Sequence, residues 1–113
     1  MNASAQTWSS LNVEAIELIE EDWPGWVRVR LVDADGVPRI FEGKLPIFFA
    51  GDVPTSSTTL PVPAMVRCHV LRRELLEDGR AVLIVSTAID GVETGDGLDE
   101  FRVREDQVEV TNG

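Results

Sequence analysis

The sequence predicts an all-β protein: a small single-domain antiparallel β-barrel, or a two-layer sandwich, of about six to seven strands. Three observations carry this. Apolar and polar residues alternate with period two in WVRVRLV, residues 26–32, and again in later segments. Four Asp-Gly pairs, at 35–36, 78–79, 90–91 and 96–97, and a Pro-Gly pair at 24–25 punctuate the chain with hairpin-turn chemistry. No stretch after residue 22 has helical periodicity. A barrel is preferred because so few strands leave open edges unless the sheet curls on itself.

Residues 1–12 are small and polar and are expected to form a flexible N-terminal segment. VEAIELIEED, 13–22, fits two templates. Ser10 is placed to cap a helix with Ala15, Leu18 and Ile19 on its apolar face. Alternatively, Val13, Ala15 and Ile19 line one face of a strand, with Ile16 and Leu18 on the other. The Pro-Gly pair and the clean strand after it favour a strand over 13–21, paired antiparallel with 26–33. Residues 37–43 make a short strand that Pro38 confines to an edge or a strand start. GDVPTSSTTLP, 51–61, is a polar loop. In 62–73, Val62, Ala64, Val66, Cys68 and Val70 share one face, and Arg67 and His69 point the other way. RAVLIVSTAI, 80–89, is apolar on both faces and predicts the most buried strand. FRVREDQVEV, 101–110, alternates from Phe101 and Val103 with a break near 105–107. The domain is thus expected over 13–110, with a tail at 111–113.

A chain of 113 residues, 43 % hydrophobic, supports one domain with a modest core and excludes wholesale disorder. The net charge of −10 is uneven: residues 1–26 and 89–113 are strongly acidic, while 27–88 are nearly balanced. Such a field opposes binding to nucleic acid and to anionic membranes, and suits solubility or a basic protein partner. Cys68 is the only cysteine, so no intramolecular disulfide forms. The first residues lack the basic and apolar regions of a signal peptide. The most compact apolar run, AVLIV at 81–85, is far short of the roughly 20 residues of a membrane helix. A cytoplasmic protein of bacterial type is the expectation. Nine Arg against one Lys, with no Tyr, fits coding by a GC-rich genome.

In order, DWPGWVRVRLVDADG, FEGKLPIFF, PVPAMVRCHVLRRELLEDGRAVLIVST and EFRVREDQV resemble a family of small uncharacterised bacterial β-proteins. Its members share a PGWV strand, a D-x-x-G turn, an acid-lysine-proline segment and a closing D-Q-hydrophobic signature. The resemblance spans roughly residues 13–110. That family has no assigned activity, so it implies no catalytic residues here. The strand order also resembles, more distantly, the β-barrel domains of translation elongation factors, which contact RNA and proteins. That resemblance implies a barrel; no GTPase motif accompanies it.

Candidate chemistry is sparse. Cys68 and His69 are adjacent, so in a strand they point to opposite faces and cannot act as a nucleophilic pair or share a metal. Together they supply two of the four donors a zinc site needs. The acidic turn IDGVETGDGLDE, 89–100, does not match a calcium-loop spacing, and its glycines read as turn residues. No Walker motif, dinucleotide-binding glycine pattern or nucleophile elbow is present. The chain is therefore expected to be no enzyme, with no metal and no cofactor.

The aromatics are the candidate partner-binding residues: Trp23 and Trp26 flank a turn, and Phe48 and Phe49 are adjacent in a Pro-bounded segment. The opposing reading makes the tryptophans a clamp on the hairpin and both phenylalanines the cap of a barrel end. Arg28, Arg30, Arg67 and His69 are an alternative basic face for RNA, with Trp26 at the same parity as Arg28 and Arg30. Ordinary cross-strand pairing of those arginines with Glu14, Glu17 or Glu20 is the competing account. The leading expectation is a noncatalytic acidic protein-interaction module, self-associating through a strand edge in one form. An RNA-associated barrel comes second, and small-molecule binding in the barrel mouth third.

Overall fold

The computed structural model describes residues 8–111. The alternation of Val27, Val29 and Leu31 with Arg28 and Arg30 builds β2 (Trp26–Val32), whose apolar members are fully buried while both arginines face outward. It is the regular member of seven antiparallel strands in one curled sheet, a half-barrel. The others are β1 (Trp8–Glu20), β3 (Pro38–Gly43), β4 (Val62–Leu75), β5 (Ala81–Ser86), β6 (Glu100–Arg104) and β7 (Val108–Thr111). The sheet order is β3-β2-β1-β4-β5-β6, and β7 returns to pair with β1. Pro38 starts an edge strand, as its missing N–H requires.

β1 begins at Trp8, not at residue 13, so residues 8–12 are strand and not a flexible segment. The remainder of that expected segment, 1–7, and residues 112–113 of the expected tail lie outside the described residues, while Thr111 belongs to β7. Small side chains suggested fraying, but here the backbone is held on both sides. Ser9 faces Cys68 of β4 and Val110 of β7, and Leu11 faces Val66 and Val108. A doubly paired ladder satisfies the main chain without help from large apolar side chains.

Further along, register shifts between Ala15 and Glu17 and between Leu18 and Glu20 mark bulges in β1. Each extra residue bends the strand and reverses the alternation beyond it. Leu18, opposite Val27, therefore packs on the core, and Ile19, which strict alternation groups with Val13 and Ala15, is exposed.

One helical turn interrupts the β pattern: α1 (Leu45–Phe48), with Pro46 in its first turn and Phe49 N–H donating to the Leu45 carbonyl at 3.1 Å. Four residues are too few for periodicity to register, and Pro46 fixes φ where a helix start needs it. Leu45 and Phe48, three apart, bury the same face. The β1–β2 turn closes over this element. Gly25, at φ +81, lies so close that a Cβ there would clash with the Leu45 side chain.

The core runs from Leu11, Val13 and Ala15 through β2, Phe41, Ala64, Val66, Cys68 and Val85 to Phe101 and Val103. Phe41 and Phe101 meet edge to face, with centroids 5.3 Å apart. β5 is partly or fully buried on both faces, as its composition predicts. Its core-side Val85 joins the cluster. On the other face, Val82 and Ile84 are buried and stand in register between Glu74 and Arg104 and between Arg72 and Arg102.

Two polar residues hold the turns. The buried Asp33 carboxylate accepts the backbone N–H groups of Asp35 and Val37, each at 2.9 Å, and Arg39 Nε at 3.0 Å. The expected break at 105–107 is a 3₁₀ turn between β6 and β7. There Gln107 accepts the Arg104 N–H at 2.8 Å and donates to the Val32 carbonyl of β2 at 2.7 Å. The closing D-Q-hydrophobic run thus acts as a latch across the sheet. No helix among the described residues is long and apolar enough to cross a membrane.

Candidate functional site

The segment after β3 builds the site. Phe48 ends α1 with its side chain 2 % exposed, joined to the core, and Phe49 turns the chain back to extended geometry while only partly buried. Phe48 is thus a core residue, and Phe49 is the one left to face outward. Phe49 is a common wall of three adjoining hollows. The first, about 370 Å³, lies between Ile47–Ala50 and the Trp8, Met65 and Arg67 side chains. The second, about 430 Å³, continues past Met65 to Pro63, Asn12 and Glu109. The third, about 330 Å³, runs on along Val62 and Pro63 to Asp52 and Val53 in the polar loop. Together they make a furrow along β4, largely apolar in its lining, with carboxylates at Asp52, Asp90 and Glu109.

Arg67 is the one cation lining these hollows, and it is neutralised. Its guanidinium bonds Asp90 twice, Nε to Oδ2 at 3.0 Å and Nη2 to Oδ1 at 2.6 Å, and its Cζ lies 5.3 Å from the Trp8 ring centroid. The Asp90 hydrogen bonds hold the Arg67 pKa above its ordinary value. Asp90 itself sits in the short 3₁₀ turn after β5. That turn is pinned by buried Thr87, whose hydroxyl donates to the Val92 carbonyl at 2.7 Å.

The remaining residues singled out in the sequence lie elsewhere. Trp23 is 80 % exposed at the β1–β2 turn, and Trp26 is 38 % exposed beside it; neither lines the furrow. The Arg28 hydrogen bonds to Glu42, with a smaller contribution from nearby Trp26, hold the Glu42 carboxyl below its usual pKa. Arg28 pairs with Glu17 and with Glu42, and Arg30 with Glu14 at 2.9 Å. β2 and β4 are not neighbours, because β1 lies between them. Arg28 and Arg30 are therefore separated from Arg67, and each of the three has a carboxylate partner.

Cys68 is fully buried and His69, next to it, is half-buried. Burial pushes the Cys68 thiol up to about 11. Among the described residues no three His, Cys, Asp or Glu side chains gather to hold a metal ion. Trp8, Ile47 and Met65 are the furrow residues that sequence reasoning passed over. The signal for Met65 was legible: PVPAMV is apolar at both parities, which on a half-buried strand marks a second covered surface.

The fold and furrow define a class, an all-β half-barrel with a surface groove beside a single helical turn. Comparison with models of protein families, with curated proteins and with solved structures finds no match for this chain.

Proposed function

We propose that the protein is a noncatalytic interaction module whose furrow around Phe49 receives an extended segment of a partner protein, one with an apolar anchor flanked by basic residues. The observation that carries this is the continuity of three hollows past one half-exposed phenylalanine. An elongated apolar trough suits an extended polypeptide better than a compact small molecule, which favours an enclosed pocket. Charge supports the basic character of the occupant. The lining carboxylates Asp52 and Glu109 and the net charge of −10 attract a cationic segment, and the one lining cation, Arg67, is already paired with Asp90. The same balance disfavours RNA, which would meet arginines engaged by Glu14, Glu17, Glu42 and Asp90.

The test is titration of the ¹⁵N-labelled chain with ten-residue peptides carrying one central Leu or Trp between lysines, against the same peptides with glutamates. Lysine peptides are expected to shift the amides of Ile47–Ala50 and Met65–Arg67, weakly at high salt, and Phe49→Ala to weaken binding about tenfold or more. No shift with any lysine peptide, or shifts confined to the Trp23 turn, overturns the reading. Salt-sensitive binding of mixed-sequence RNA by the same chain would favour the second class of function.

A further inference from the structure

We infer that two copies of this chain associate by antiparallel pairing of the distal half of β4, with Arg73 on the two-fold axis. This surface is separate from the furrow, and the inference does not rest on the peptide-binding reading. β4 is paired with β1 only from Val62 to Cys68 on one side, and with β5 from His69 to Leu75 on the other. Beyond Cys68, no strand among the described residues covers the β1 side of β4. The segment left there is exposed and apolar in part: Val70 is 41 % exposed, Leu71 46 % and Leu75 68 %. An uncovered edge of this kind presents unpaired N–H and C=O groups to a second strand.

The backbone fixes which residues can pair. At the β4–β5 turn, Leu76 N–H donates to the Arg80 carbonyl at 2.8 Å. In an antiparallel ladder the direction of the backbone groups alternates, so Glu74, opposite Val82, also turns to β5. Arg73 and Leu75 then direct their N–H and C=O groups to the open edge. A two-fold axis perpendicular to the sheet keeps each residue on its own face, so a residue pairs with one of equal parity in the second copy.

Side chains then select the register. With Arg73 on the axis, Arg72 faces Glu74 of the second copy, and symmetry makes the pair twice; Leu71, the extra residue of the bulge between Val70 and Arg72, is left out of the regular pairing. Moving the axis to Glu74 sets Glu74 against Glu74 and Arg72 against Leu76. Moving it to Arg72 sets Arg72 against Arg72. Like charges directly opposite destabilise a sheet, and opposite charges and apolar pairs stabilise it. Of these three registers, only the one centred on Arg73 sets Arg72 and Glu74, two opposite charges, against each other. Its remaining like pair, Arg73 on the axis, is compensated within each chain, because Arg73 Nε bonds Glu105 at 2.8 Å. Arg72 and Glu74 already pair within the chain at 3.0 Å on an exposed surface, a contact of little energy that pairing across the axis replaces.

One strand edge buries an area at the small end of specific interfaces, below about 1,200 Å², so a micromolar dimer is expected. Sedimentation of the full chain should show a concentration-dependent shift from 12.4 kDa toward twice that mass. Arg72→Glu and Glu74→Arg should each be monomeric, since each sets like charges opposite one another. Mixed in equal amounts, the two variants should form a heterodimer, and the double variant R72E/E74R should dimerise as the parent does. Unchanged thermal melting of the single variants separates lost pairing from lost folding. A full chain that stays monomeric at high micromolar concentration overturns the inference. So do single variants that still dimerise, and so does a dimer that appears only when residues 1–7 are removed.

Discussion

At the scale of single residues, position in the curled sheet decides chemistry. Cys68 has the side-chain type of a nucleophile but sits fully buried opposite Ser9, and burial raises its pKa to about 11. A raised folded-state pKa favours the neutral thiol, so its contribution to stability is complete below the unfolded value near 9. It is lost as pH rises through about 11. The native protein should therefore be inert to a thiol reagent at pH 8 and react only after unfolding, and Cys68→Ala should remove part of the stability loss between pH 9 and 11. Rapid native labelling would place the sulfur at the surface. Phe48 and Phe49 divide in the same way. They are neighbours in sequence, yet Phe48 is buried and Phe49 only partly so, and the helical turn that ends between them sets the choice.

At the scale of elements, the strands whose side chains alternate were legible and those whose alternation breaks were not. β2 lies where WVRVRLV places it, because seven regular residues carry a full face of apolar side chains. β1 was legible in part: its C-terminal half was recognised, while its start was hidden by serines that need only a backbone ladder. Its bulges then moved Leu18 inward and Ile19 outward, which no parity count predicts. Phe49 and Arg67 were singled out in the sequence, but the furrow itself was not legible, since its walls at Trp8 and Met65 come from β1 and β4, brought together by pairing far apart in sequence. The break between β6 and β7 was legible as an irregularity, but its purpose was not. The Gln107 side chain ties the β6 end of that break to β2, and Gln107→Ala would leave the Val32 carbonyl and the Arg104 N–H without these partners. A loss of about 2 kcal/mol in chemical denaturation is expected. A change within error would mean that water replaces the side chain at no cost.

At the scale of the whole molecule, the two proposed surfaces sit on different parts of β4. The furrow uses its first half, near Met65 and Arg67, and the self-complementary edge uses its second. Binding of a lysine peptide and formation of the dimer should therefore be independent, each titrating alike in the presence of the other. β1 has a different consequence. It opens the described chain, and Trp8 stands across the ladder from Thr111 in β7, which closes it. Start and finish thus meet at one spot, and the order in which the strands are threaded is a matter of where the ring is cut. A covalent join between these neighbours, with new ends opened in the exposed turn at Asp78–Gly79, should yield a rearranged polypeptide with the parent's spectrum and melting behaviour. A permuted chain that fails to fold would show that β1 must be made first.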